Sequence, residues 1–150
     1  MSCDELKPQR KAELPQDGGQ YLPHRPPMRF VDTLLERSGE RAVASGVMPA
    51  SGICFDDQFI FPEYFVEVVA QAVAMANGYD AACAGEKMSG GMLVGIDTFR
   101  FSGSVSPGAE LKIVTEKTFE FGAVRIIHGE VFCDGRLVAE GDIKVWEDPG

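Results

Sequence analysis

No apolar run among the 150 residues approaches the roughly 20 that a membrane-spanning helix needs. The opening MSCDELKPQRKAELPQDGG has no apolar segment either, so it is not read as a signal peptide. Cysteine is sparse: Cys3, Cys54, Cys83 and Cys133 lie 51, 29 and 50 residues apart with no CxxC pair. That spacing argues against a disulfide framework or a zinc site, and a cytoplasmic location is expected. Basic residues are outnumbered, 14 against 23 acidic, and a net charge of −9 argues against a nucleic-acid partner. There is no Gly-rich phosphate loop and no nucleophile elbow. Asp56 and Asp57 are adjacent acids without a further ligand, so no metal is expected. Histidine is limited to His24 and His128.

What is present is a globular composition, 45 % hydrophobic, of one-domain length. Residues 1–20, polar and ending in glycines, read as a flexible tail, and residues 21–150 as the domain. The prolines of YLPHRPP impose an extended, rigid approach from Tyr21 to Pro27. Two strands flank a turn at Ser38-Gly39-Glu40, and Pro49 to Ile60 reads as loop. The stretch FPEYFVEVVAQAVAMANG then predicts a helix that starts at Pro62, runs to Asn77 and stops at Gly78. After Gly90 the period becomes two, and turn signals at Ser106-Pro107-Gly108, Gly122 and Asp134-Gly135 divide four strands. A helix apolar nearly all round must be enclosed, and a six-stranded antiparallel sheet curled about it does so. The expected class is α+β.

Glu63, Glu67 and Gln71 are four apart and share one helical face, closed at both ends by apolar residues. A carboxylate shut in by apolar groups holds its proton more tightly, and a protonated acid can donate to a leaving hydroxyl. Glu67 is therefore the candidate acid, and Gln71, one turn on, can orient it. His24, fixed among prolines, is the candidate base. His128 reads as a sheet-surface residue.

Three segments resemble the hot-dog-fold β-hydroxyacyl-[acyl-carrier-protein] dehydratases. Residues Leu22 to Asp32 look like that family's LPHRxPxxxVD entry, Glu67 to Gln71 like its E-x-x-A-Q, and Gly95 to Leu111 like its GIDxxxF…VxPGxxL hairpin. The resemblance implies a long helix wrapped by a curved sheet and homodimers joined edge to edge. It also implies sites for acyl thioesters, carried on acyl carrier protein or CoA, in which Glu67 matches the catalytic carboxylate. Dehydration then needs no cofactor. The family's loop histidine is missing, and Gln58 stands roughly in its place, as in a divergent branch associated with aryl-polyene lipid pathways. Gln58, Gln71 and the helix-start amides of Tyr64, Phe65 and Val66 are the expected substrate-binding groups. Arg25, Arg29 and Arg100 are candidates for a basic rim facing the carrier. The alternatives are a hot-dog thioesterase, a non-catalytic acyl-binding subunit, and pairing with another hot-dog chain that supplies a histidine.

Overall fold

The computed structural model describes residues 13–52, 54–56, 59–87, 90–102 and 105–148. In chain order the elements are β1 (Gln16–Asp17), a 3₁₀ turn (Gly19–Tyr21), β2 (Thr33–Ser38), β3 (Arg41–Val47), β4 (Phe55–Asp56), β5 (Phe59–Ile60), α1 (Glu63–Cys83), β6 (Gly91–Phe101), β7 (Glu110–Phe121), β8 (Val124–Cys133) and β9 (Arg136–Glu147). One antiparallel sheet runs in the order β1-β2-β3-β7-β8-β9-β6, and α1 touches six of its strands. The helix shows why it must be enclosed: Tyr64, Phe65, Val66, Val68, Val73 and Met75, spread over more than half of its circumference, are all buried. They meet Leu34, Ala44, Leu111, Ile113, Val131 and Ile143 on the inner face of the sheet.

The expected elements form, with four corrections. The sheet has seven strands, not six, because Gln16–Asp17 pair with Leu34 and Thr33. Residues 16–20 thus pack with the domain rather than ahead of it, while residues 1–12 of the expected tail lie outside the described residues. The helix does not stop at Gly78. That glycine is buried inside α1, where tertiary packing outweighs its helical cost of about 1 kcal/mol. The stop is Gly85, at φ +70°, with its N–H bonded to Ala82 O and the Glu86 N–H to Ala81 O. This Schellman arrangement satisfies the last carbonyls.

The third correction concerns the segment from Gly95 to Leu111. β6 and β7 are not a hairpin: among the described residues β6 pairs only with β9 at the far edge, and β7 sits between β3 and β8. Two-residue turns at Gly122-Ala123 and Asp134-Gly135 hold β7, β8 and β9 together as a meander, which leaves β9 as the edge on which β6 adds. Finally, the loop before the helix contains a small β4–β5 pair, closed by the Phe61 N–H on Cys54 O.

The sheet passes close beneath the helix at Gly129. A Cβ there would lie 2.8 Å from Val69 Cγ2, so only glycine lets β8 pass beneath α1.

Candidate active site

The entry segment is brought to α1 by its own anchors. Leu22 is buried, Tyr21 sets its ring edge-on to Tyr79 at 5.5 Å, and the Gly18 N–H donates to Asp32 O. Arg25 Nη1 donates to the carbonyls of Leu22 and His24 at 2.6 and 2.9 Å and fixes the loop between them. His24 is thereby held above the middle of the helix. Its Nε2 lies 3.7 Å from Glu67 Oε1, beyond a direct hydrogen bond but within ion-pair range. Its Nδ1 is buried with no hydrogen-bond partner among the described residues.

Gln71 is the most constrained polar side chain of the site, with 0 % exposure. Its amide nitrogen donates to Met28 O at 2.7 Å and to Glu67 Oε1 at 3.0 Å, and its oxygen accepts from the Phe30 N–H at 2.8 Å. One side chain therefore orients Glu67 and ties the segment after His24 to the same helical turn. Glu67 itself is not enclosed as the sequence pattern suggests: its side chain is 35 % exposed, because the stripe opens onto a groove. Glu63 lies on the exposed start of the helix.

That groove, about 330 Å³, runs along α1 between the entry segment and the start of β6. His24, Glu67 and Gln71 line one end; Ala70, Val73, Ala74 and Gly78 form its small-residue floor. The far end is polar, with Asn77 Nδ2 donating to Glu147 Oε1 at 2.9 Å. Sequence reasoning missed these two residues. Asn77 was assigned only as a helix end, and nothing local links it to a residue 70 positions away.

The other expected groups are not gathered here. The amides of Tyr64 and Phe65 already donate to Phe61 O and Pro62 O at 2.9 and 3.0 Å, so they are not free to hold a carbonyl. The side chains of Tyr64, Phe65 and Val66 belong to the core. Gln58 lies outside the described residues. Arg25 is engaged by backbone carbonyls, Arg29 faces Asp32 at 3.6 Å, and Arg100 sits on β6. His128 lies on the sheet surface, as expected, with Nδ1 2.8 Å from Asp142 Oδ1.

A long apolar helix wrapped by an antiparallel sheet defines the hot-dog class, and here a carboxylate and an imidazole face each other in a groove along the helix. The chain superposes on the dehydratase heterocomplex ApeI:P from Xenorhabdus doucetiae with a TM-score of 0.79, at 21 % identity over 89 % of this chain and 91 % of that one. It also superposes on protein PH1136 from Pyrococcus horikoshii with a TM-score of 0.65, at 14 % identity over 92 % and 97 % of the two chains. Both show the fold. In sequence, it is 34 % identical over 131 residues to the 3-hydroxyacyl-[acyl-carrier-protein] dehydratase FabZ of Agrobacterium fabrum, covering 81 % of each. The FabZ of Ruminiclostridium cellulolyticum is 32 % identical over 133 residues, 83 % of this chain and 90 % of the relative. The family model of the ApeP dehydratases matches residues 17–149, and the chain belongs to the ApeP-like dehydratase family.

Proposed function

We propose that the chain dehydrates 3-hydroxyacyl thioesters in the groove beside Glu67, with acyl carrier protein as the carrier. The facing of Glu67 and His24 across 3.7 Å carries this reading. His24 takes the α-proton of the thioester; the β-hydroxyl leaves as water with the proton of Glu67, and a trans-2-enoyl thioester remains. Gln71 holds Glu67 in place during the exchange, and the groove floor receives the acyl chain. The carrier is suggested by the relatives named for acyl-carrier-protein substrates.

The free edge of β6 supports pairing with a second hot-dog chain. Among the described residues its backbone has a sheet partner on one side only, and Met92, Val94 and Ile96 are all more than half exposed. A second copy is the partner we infer; a different hot-dog chain is the alternative, supported by the absence of the loop histidine.

The test is dehydration of 3-hydroxyacyl carrier-protein thioesters, followed by enoyl absorbance, by the purified chain alone and mixed with another hot-dog chain. Turnover by the chain alone, abolished in Glu67→Gln, supports the full reading. Turnover only in the mixture, still dependent on Glu67, supports pairing with an unlike chain. Unchanged rates for Glu67→Gln overturn the acid assignment.

A further inference from the structure

Inner-face residues Ile127, Val131, Ile143 and Val145 are buried against the helix, so the residues alternating with them point to the outer face of the sheet. There, His128 pairs in register with Asp142 and Glu130 with Glu140, placing four ionisable side chains in a square across β8 and β9. A ring nitrogen of His128 and one carboxylate oxygen each from Glu130 and Glu140 lie within 4.8 Å of one another. Directly opposed glutamates destabilise an antiparallel pair unless a cation lies between them. Among the described residues no ion pair reaches Glu130 or Glu140, although Arg100 is Glu140's register neighbour on β6. The other directly opposed positions do not supply the cation, since Val114 lies beside Glu130, Glu116 beside His128 and Asp97 beside Asp142, and the diagonal Lys112 and Lys144 form no ion pair with either glutamate among the described residues.

We propose that this square is a divalent transition-metal site, with zinc as the fitting ion: His128, Glu130 and Glu140 are the ligands, and Asp142 is the residue that orients His128. Zinc accepts mixed nitrogen and carboxylate donors at about 2.0–2.2 Å, which sets tetrahedral donors ~3.3 Å apart. Glutamate side-chain rotation closes the remaining distance without moving the strands. Asp142 accepts the Nδ1–H at 2.8 Å, which leaves the Nε2 lone pair for the metal. The ion would clamp β8 to β9 on the side of the sheet opposite α1. It takes no part in the reaction, and the inference is independent of the proposed function.

The experiment is titration of the EDTA-stripped full chain with zinc by calorimetry and with cobalt by absorbance, alongside melting curves. The expected result is one site per chain, cobalt d–d bands without a thiolate charge-transfer band, and a zinc-dependent rise in Tm that magnesium does not reproduce. His128→Gln and Glu130→Gln lose the tight site. Asp142→Asn weakens it roughly 10- to 100-fold. Glu140→Gln raises the metal-free Tm while removing the zinc response, a pair of effects that a purely structural glutamate would not produce. Equal zinc affinity in His128→Gln and the parent chain overturns the proposal. So does a thiolate band, which would place the ion on cysteine, or a Tm rise equalled by magnesium.

Discussion

Replacing Gln71 by Met tests the constraint on which the site depends. The two side chains are close in volume, so the substitution removes polar contacts with little cavity. It leaves the Phe30 N–H and the Met28 carbonyl, now bonded at 2.8 and 2.7 Å, without partners in a part-buried position. Each orphaned backbone group costs about 1–3 kcal/mol, and the added apolar burial returns about 1–2 kcal/mol. The net expectation is a loss centred at about 2.5 kcal/mol within a span of about 0–5 kcal/mol, the central value being roughly 5–10 °C in Tm for a domain of this length. Gln71→Glu loses more: it cannot donate to Met28 and sets a second carboxylate beside Glu67, now 3.0 Å from the amide. Urea unfolding at fixed protomer concentration, with m-values compared, reads both changes. A gain in stability for Gln71→Met would refute the reasoning, since the two backbone groups would then be finding other partners.

Glu67→Gln should lower turnover by about 10²–10⁴ with little change in Tm, as expected for a half-exposed acid that leaves the fold intact; steady-state rates and melting curves check both halves. His24→Ala should lower turnover over the same range, about 10²–10⁴, if its imidazole is the base, and the same assay reads it. Gly129→Ala should destabilise by about 1–3 kcal/mol in denaturant unfolding, because its Cβ would overlap the Val69 methyls. Burial pushes the Tyr64 phenol above its ordinary value of 10, with Cys54 and Asp32 adding to the effect. The unfolded chain therefore releases this proton first. Stability should be unaffected below pH ~10 and then fall by about 1.4 kcal/mol per pH unit as pH rises toward the folded value. Tyr64→Phe, which also removes a hydroxyl with no hydrogen-bond partner among the described residues, should flatten that alkaline slope in urea titrations at pH 9–11.

Much of the fold was legible because it is written in local patterns. Apolar residues on nearly every side from Phe65 to Ala76 require an enclosed helix, and the period-two runs after Gly90 require strands. The spacing of Glu67 and Gln71 put both on one helical face, and their hydrogen bond is the result. Gly78 misled because a glycine in a helical pattern reads as a stop, while burial against the sheet carries the helix through it to Gly85. The segment from Gly95 to Leu111 misled for a related reason: adjacency in sequence suggests a hairpin, but strand order depends on which edge each strand finds.

The sequence by itself therefore determined the α+β class, the central helix, the turns and the carboxylate–amide pair, all of which depend on residues within a few positions of one another. Only the tertiary structure decided the rest. It set His24 against Glu67, 43 positions further along the chain, bonded Gln71 to the backbone at Met28 and Phe30, closed the groove with Asn77 and Glu147, and opposed Glu130 to Glu140. Periodicity says which face of an element is apolar; which distant side chains meet there is decided by register and by the path of the chain, and neither is a local property.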